Sequence, residues 1–209
     1  MEEALTGPAY RISTSRLTIR CWDPRDAPRL KEAVDRNVDH LRPWMPWAAR
    51  EPASLDTRVA WLRKCRGEFD LGIDFVYGIF DPEEKEVVGG TGLHTRQGSD
   101  MREIGYWIQE KHARKGFATE VSAALTKVAF LVDKVKRVEI RCAIENAKSA
   151  GIPKKLGFVF EGTLRKKAPD ADGTMRDMMI WAILIDEFSH SVAANADARA
   201  FDAIGRRNM

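Results

Sequence analysis

Residues 113–120 combine a short basic loop with the start of a helix, a pairing that can bind an anion. Arg114, Lys115 and Gly116 lie directly before an amphipathic pattern that begins at Phe117. The first N–H groups of a helix have no acceptor within the helix, and the helix dipole makes that end positive. Glycine lets a ligand approach the backbone closely. The junction therefore predicts a site for a phosphate group.

A second group of polar residues follows the alternating run at 138–144. Asn146 is a residue type that caps helices well, and Ser149 lies one turn later on the same face. Lys155 lies near the end of the same short helix, which Gly157 is expected to terminate. This spacing places an amide and a hydroxyl at the head of a helix, where both could contact a ligand or serve only the helix.

The elements that must hold these residues alternate between strands and helices. Strand patterns cover residues 16–22, 73–80, 86–94, 101–109, 138–144, 158–164 and 176–185. Helical patterns cover residues 24–38, 54–68, 117–132 and 146–156, the last broken or bent near Pro153. Gly89, Gly90 and Gly92 predict a strand that another group approaches closely. The predicted fold class is α/β, with a mixed, mostly antiparallel twisted sheet of about seven strands flanked by about four helices.

Length and composition indicate one domain of ordinary size. The chain has 209 residues, 44% of them hydrophobic, and its net charge of +3 does not favour a nucleic-acid-binding surface. Its three cysteines are widely spaced, which argues against a disulfide framework, and its four histidines lack metal-ligand spacing, so no metal is expected. Because long apolar runs and an apolar N-terminal signal are both missing, we expect a cytoplasmic protein.

Four segments, taken in order, resemble the GNAT superfamily of acetyl-CoA-dependent N-acetyltransferases. They are residues 41–47, 103–108, 113–120 and 146–158, and Arg176-Asp177 before the last strand also fits. Within the superfamily, the sequence is most similar to bacterial enzymes that acetylate the N-terminal alanine or serine of ribosomal proteins. The resemblance covers residues 10–188. It leaves residues 1–9 as a predicted N-terminal extension and 189–209 as a tail that is helical, frayed or docked on a partner.

The resemblance implies a set of contacts to acetyl-CoA. Backbone N–H groups of the loop hold the pyrophosphate, Asn146 holds the pantetheine arm or an ordered water, and Lys155 belongs to the same binding site. The N–H group of Trp107 or Ile108 meets the oxyanion that develops during transfer. Ser149 protonates the departing thiolate. The loop residues assigned to the pyrophosphate are Arg114, Lys115, Gly116, Phe117, Ala118 and Thr119.

On the acceptor side, the resemblance makes Glu103 the candidate base, acting directly or through a water. A surface glutamate paired with Arg102 or Arg141 is the alternative interpretation. An α-amine has a pKa of roughly 8, so it needs only modest help to lose its proton at neutral pH. Aromatic residues near the acceptor either contact it or are buried against the sheet. The aromatic residues assigned to the acceptor are Trp44, Trp47 and Tyr106.

The implied reaction is direct attack of a primary amine on acetyl-CoA. No acyl-enzyme is expected, because Cys142 lies in an alternating apolar run and has no predicted basic partner. The predicted acceptor is a protein N-terminal α-amine; small-molecule amines such as antibiotics, polyamines or aminoacyl compounds fit the same scaffold. Another acyl donor and a non-catalytic CoA-binding module are further alternatives. The resemblance also implies a homodimer, and no nucleic-acid or membrane partner is expected.

Overall fold

The protein is described by a computed structural model that covers residues 7–170 and 172–209. The described residues form nine strands and six α-helices. The strands are β1 (Arg11–Thr14), β2 (Thr18–Cys21), β3 (Phe75–Phe80), β4 (Val87–His94), β5 (Met101–Ile108), β6 (Arg137–Ala143), β7 (Val159–Pro169), β8 (Met175–Leu184) and β9 (Ala198–Phe201). The helices are α1 (Ala27–Asp35), α2 (Val38–Leu41), α3 (Leu55–Asp70), α4 (Phe117–Leu131), α5 (Ala147–Leu156) and α6 (Ile185–Phe188).

All nine strands belong to one sheet, in the order β7-β8-β6-β5-β4-β3-β2-β1-β9. Neighbouring strands are antiparallel except β5 and β6, which are parallel. The predicted α/β class and the antiparallel meander of β3, β4 and β5 are confirmed. The sequence indicates about seven strands, and the structure adds the short strands β1 and β9 at one end of the sheet, with β9 at its edge.

The C-terminal segment differs from both the helical and the frayed alternatives. Ala198–Phe201 pairs antiparallel with β1, and Ala198 and Ala200 are buried. Alanine favours helices, which explains the helical alternative. Pairing with an open sheet edge and burial of alternate side chains outweigh that preference here.

The two faces of the sheet carry separate apolar clusters. Val121, Leu125 and Val128 of α4 are fully buried in the cluster on one face. Leu30 of α1 and Leu62 of α3 belong to the cluster on the other face. Because side chains alternate along a strand, β5 contributes to both clusters. The sheet therefore separates an α4–α5 side from an α1–α3 side, and only a gap between strands could join them.

Local signals set the helix ends as expected. The Oγ of Ser54 accepts a hydrogen bond from the Thr57 N–H at 3.1 Å, which caps α3. Gly157 ends α5 with φ +90°. Pro153, expected to break or bend this helix, lies inside it, and α5 continues to Leu156. Proline in that position deprives the Ser149 carbonyl of its helical donor, a loss that matters at the site described next.

Candidate active site

Strands β5 and β6 part halfway along their length. Their parallel pairing runs from Met101 with Arg137 to Ile104 with Ile140. Beyond Ile104, β5 continues to Ile108 paired with β4, and β6 continues to Ala143 paired with β8. The sheet thus opens from Gly105 onward, and a ligand can pass between two strands without breaking any of their hydrogen bonds.

A cavity of about 710 Å³ occupies this region and has walls from both faces of the sheet. On the α4–α5 side, the walls include Cys142, Asn146 and Ser149. On the α1–α3 side, the walls are aromatic and charged. They include Trp44, Trp47, Trp61, Glu68, Asp74, His94, Glu103 and Trp107. The cavity therefore connects two chemically different compartments through the parted strands.

Ser149 is fixed at the head of α5 by two neighbours. Its N–H donates to the Oδ1 of Asn146 at 3.0 Å, so that Asn146 caps the helix as predicted. Its Oγ lies 2.8 Å from the hydroxyl of Tyr106, which also lies 3.4 Å from the Ser149 carbonyl freed by Pro153. Burial raises the pKa of Tyr106 and keeps its hydroxyl protonated at neutral pH. The pair thus presents neutral hydroxyls that can relay a proton.

Cys142 lies beside this pair but does not have the character of a nucleophile. It is buried, and burial raises the pKa of its thiol despite a hydrogen bond with Ser149. A protonated thiol is a poor nucleophile. Cys21, Cys65 and Cys142 are all free and buried, which agrees with a chain that has no disulfide framework among its described residues.

Glu103 lies at the mouth of the gap on the α1–α3 side. Its Oε1 is 3.3 Å from Arg96, and its Oε2 is 3.8 Å from Arg141, with the side chain 13% exposed. The Nε2 of Gln97 lies 3.4 Å away. The pairing with Arg141 that the sequence offered as an alternative is therefore present, within the cavity wall. Arg102, the other suggested partner, pairs instead with Asp133.

The basic loop adopts a conformation suited to an anion. Arg114 and Gly116 have φ of +62° and +83°, and Gly116 is the N-cap of α4 without a side-chain cap. Successive N–H groups in such a turn point to one side and form an anion-binding concavity. Arg114, Lys115 and Gly116 are exposed, while Phe117, Ala118 and Thr119 are half-buried. The head of α4 thus leaves its N–H groups without a side-chain acceptor.

Glu120 would oppose an anion at this loop, but it is held by the β1–β2 turn. Thr14 donates to its Oε1 at 2.6 Å, and the Nη2 of Arg16 lies 2.5 Å from its Oε2. Arg16 also donates to the Lys115 carbonyl at 3.0 Å and lies 4.7 Å from the centre of the Phe117 ring. Arg16, which sequence reasoning missed, therefore neutralises Glu120 and holds the loop.

The direction of the N–H groups along β5 distinguishes Trp107 from Ile108. The N–H of Gln109 donates to the Val88 carbonyl at 2.9 Å, on the β4 side. N–H groups along a strand point alternately to its two edges. The Trp107 N–H consequently faces β4, and the Ile108 N–H faces the gap. Of the two predicted oxyanion donors, Ile108 has the suitable direction.

Glycines in β4 make room for rings that lie flat on the sheet. A Cβ on Gly90 would lie 2.5 Å from the Trp107 indole nitrogen. The Trp107 ring in turn meets Trp47 edge-on, with centroids 6.2 Å apart. Trp44 lies 5.6 Å from the Arg176 guanidinium, and both Trp44 and Trp47 are 38% exposed. The close approach that the glycines predict is therefore by side chains of the cavity itself.

Seven of the fifteen predicted site residues come together in one cavity. Glu103, Tyr106, Asn146, Ser149 and the three tryptophans at 44, 47 and 107 line one cavity. The six loop residues, Ile108 and Lys155 do not line it; Lys155 is exposed on α5. Sequence reasoning missed His94 and Asp74, which line the same cavity. The glycines of β4 just before His94 are the sequence signal that could have indicated this histidine, because they leave room for its ring.

Two wider features bear on the class of protein. Over residues 7–170 and 172–209, there is no cluster of three or more His, Cys, Asp or Glu side chains able to hold a metal ion. In the same part of the chain, no helix has the length and apolar character needed to cross a bilayer.

Comparison with known proteins places the chain in a family. Residues 16–159 match the acetyltransferase (GNAT) domain. The chain is 31% identical to the ribosomal-protein-serine acetyltransferase of Escherichia coli, over 75% of this chain and 86% of that enzyme. It is 27% identical to the ribosomal protein uS5-alanine N-acetyltransferase of the same organism, over 87% and 94%. Mycobacterium smegmatis RimJ in complex with CoA-disulfide has a TM-score of 0.73 at 26% identity, covering 92% and 94%. The chain belongs to the GNAT family of acetyltransferases.

Proposed function

We propose that this enzyme transfers an acetyl group from acetyl-CoA to the N-terminal α-amine of a protein. The observation that carries the proposal is the cavity through the parted strands, with Ser149 and Tyr106 on one side and carboxylates with tryptophans on the other. A donor and an acceptor that enter from opposite faces would meet in the gap. The relatives named for ribosomal-protein alanine and serine acetylation support a protein acceptor.

The donor side fits a coenzyme A thioester. The head of α4 offers N–H groups and the side chains of Arg114 and Lys115 for the pyrophosphate. Asn146 caps α5 and lines the gap through which the acyl arm would reach Ser149, while Lys155 lies exposed near the other end of that helix. Acetyl-CoA supplies an activated acyl carbon with a thiolate leaving group. The RimJ complex with CoA-disulfide supports this class of ligand.

Two groups of this chain are placed to stabilise and complete the transfer. The Ile108 N–H faces the gap, where it would stabilise negative charge that develops on the acyl oxygen. The Ser149 hydroxyl would donate a proton to the leaving sulfur, and Tyr106 would replace that proton along the 2.8 Å contact. No residue needs to be acylated, which agrees with the protonated state of Cys142.

The acceptor side fits a chain terminus that carries a positive charge. Glu68, Asp74 and Glu103 line this compartment together with basic side chains such as Lys64 and Arg96, and their carboxylates are the groups that would contact an ammonium group. The half-exposed rings of Trp44 and Trp47 border the entrance, and Arg176 ties the β7–β8 hairpin to it by donating to the Pro43 carbonyl at 2.6 Å. An entrance open to solvent admits the first residues of a peptide.

The first test is acetyl transfer to synthetic peptides followed by mass spectrometry. The peptides carry free α-amines and blocked lysines, and they differ in the first residue. We expect addition of one acetyl group, with a preference for alanine or serine in the first position. Transfer only to small primary amines, offered in parallel, would contradict the protein acceptor. Binding of acetyl-CoA without thiol release on any amine would contradict the enzymatic function.

A second prediction concerns Arg16. We expect Arg16→Gln to weaken acetyl-CoA binding about three- to tenfold, equivalent to roughly 0.7–1.4 kcal/mol. The substitution releases the Glu120 charge near the head of α4 and removes the bond to the Lys115 carbonyl. Isothermal titration calorimetry with acetyl-CoA measures the effect. Arg25→Gln is the matched control, since Arg25 is exposed and pairs with Asp23. Equal dissociation constants for Arg16→Gln and the wild type would contradict this role.

A further inference from the structure

We propose that His94, held by Asp74, accepts the proton that the acceptor ammonium must lose before it attacks. The assignment rests on the proposed function, because it names a residue for the same site. It differs from the sequence-based assignment of the base to Glu103. It adds an imidazole–carboxylate pair that the motifs of the chain did not indicate.

Asp74 fixes both the position and the tautomer of His94. The Nδ1 of His94 lies 2.8 Å from the Oδ2 of Asp74, and the Thr95 N–H donates to the other oxygen at 3.2 Å. Burial raises the pKa of Asp74, but the hydrogen bond and charge of His94 outweigh it and lower the pKa overall. An ionised carboxylate only accepts hydrogen bonds, so Nδ1 carries the ring proton. The neutral ring then has its free electron pair on Nε2.

The free nitrogen is directed toward the place where the strands part. A Cβ on Gly92 would lie 2.7 Å from His94 Nε2, and a Cβ on Gly105 would lie 3.3 Å from it. Gly105 is the first residue of β5 beyond its last pair with β6. Because neither glycine has a side chain, the ring lies flat on the sheet with Nε2 beside the gap. The imidazole is 14% exposed, so a bound acceptor would cover it easily.

Glu103 is less suited to the same task. It lies opposite His94 in the β4–β5 register, but its two oxygens face Arg96 and Arg141. Both oxygens are thus engaged by guanidinium groups, which compete with the acceptor for them. In addition, the ordinary pKa of an imidazole, about 6.5, lies closer to that of an α-amine, about 8, than a glutamate's 4.3 or so does. Glu103 is better placed to hold the charge of the ammonium than to take its proton.

The protons balance with His94 in this role. The acceptor R–NH3⁺ gives one proton to Nε2 and becomes a neutral amine. Its nitrogen electron pair forms the bond to the acyl carbon while the carbon–sulfur bond breaks. A second N–H proton leaves the nitrogen as the amide forms and restores the Ser149–Tyr106 hydroxyl pair, which has delivered one proton to the sulfur, so the product thiol is neutral. His94 then releases its proton to solvent, and the net reaction yields amide, thiol and one free proton.

The imidazole shares its cavity with charged groups from several elements; besides the six named next, they are Arg50, Glu51, Arg58, Asp170 and Arg176. Asp74 precedes β3, Arg96 follows β4, and Glu103 and Arg141 project from β5 and β6. Lys64 and Glu68 project from α3. All six line the cavity. The pH profile is therefore compared between variants that leave these neighbouring groups unchanged.

The experiment compares His94→Gln, His94→Ala and Glu103→Gln with the wild type on a peptide that begins with alanine or serine. We expect kcat/KM at pH 7 to fall about 100-fold in both His94 variants. We expect a fall of less than about tenfold in Glu103→Gln, because it loses charge attraction but not the proton acceptor. Added imidazole should raise the activity of His94→Ala at least several-fold. His190→Gln is the matched control, because His190 is exposed beyond α6.

A pH profile separates proton transfer from a structural effect. Between about pH 6 and 8, kcat/KM should depend less steeply on pH in the wild type than in His94→Gln, where it should rise about tenfold per pH unit up to the pKa of the amine. Asp74→Asn keeps the ring but removes the carboxylate, and we expect a loss of about tenfold or more. If circular dichroism shows that the His94 variants fold poorly, Asp74→Asn tests the same proton acceptor instead.

The outcomes are distinguishable from failure of the proposed function. If the wild type does not acetylate peptides, the protein acceptor is wrong, and the same variants are compared on whichever small primary amine reacts. A kcat/KM of His94→Gln within threefold of the wild-type value would overturn the assignment. A 100-fold loss of kcat/KM in Glu103→Gln would also overturn it, if added imidazole does not restore the activity of His94→Ala.

Discussion

Replacing Ser149 with alanine should lower kcat for acetyl transfer about 100-fold, the effect expected when one proton donor is removed. The Ser149 Oγ lies 2.8 Å from the Tyr106 hydroxyl in the gap between β5 and β6. Without it, the thiolate must leave unprotonated or take a proton from water. The KM for acetyl-CoA should change little, because Asn146 accepts a hydrogen bond from the backbone N–H of residue 149 and not from its side chain. Thiol release measured with a disulfide reagent gives both constants.

The folded structure should tolerate this substitution. Alanine keeps the N–H that satisfies Asn146, and it is a better helix former than serine. Melting temperatures of Ser149→Ala and of the exposed control Ser189→Ala should therefore lie within a few degrees of the wild type. Tyr106→Phe, which leaves the serine hydroxyl in place, should reduce kcat less than Ser149→Ala does. Wild-type kinetics in Ser149→Ala would refute the proton-donor role and leave the hydroxyl as a plain helix residue.

Much of the fold follows from local patterns in the chain. The alternation along 138–144 and the helical spacing after Gly116 predict β6 and α4 to within a residue or two, because apolar residue types recur there at the strand and helix periods. The edge strand β9 has no such signal. Its four residues, two of them alanine, become a strand only because β1 offers an unpaired edge, and that edge is far away in the sequence.

The site shows a similar division. Asn146 as a cap and Ser149 on the same turn are local features, and the structure keeps them together. The gap is not local, because it depends on where the pairing of two strands stops. Alternation also predicts that Tyr106 and Trp107 point to opposite faces, but not which face each one takes. The structure directs Tyr106 to Ser149 and Trp107 to Trp47, a choice fixed by α4 and α1 packing on the two sides.

Arg102 is another residue whose partner could not be predicted from sequence alone. Its replacement has the largest expected effect on stability. Sequence alone suggested it as a partner of Glu103, but its Nε lies 2.9 Å from Asp133, with side chains 10% and 5% exposed. It also donates to the carbonyls of Ser99 and Met101 at 3.0 and 2.8 Å. Arg102→Met should lower the free energy of unfolding by about 3–5 kcal/mol, because the buried carboxylate of Asp133 loses the counter-charge of Arg102. Urea unfolding followed by fluorescence measures the loss.

The pH dependence of that loss identifies its cause. Burial raises the pKa of Asp133, while the charge and hydrogen bond of Arg102 lower it; burial prevails. A carboxyl whose folded pKa is raised contributes stability below its ordinary pKa, about 3.9, and loses it as pH rises through the folded value. Without Arg102 the folded pKa rises further. The deficit of Arg102→Met should therefore be small near pH 4 and grow toward pH 7. Lys136→Met breaks an exposed pair with Asp100 and should show only a slight loss at both pH 4 and pH 7. An equal deficit in Arg102→Met at both pH values would assign the loss to packing and not to the buried charge.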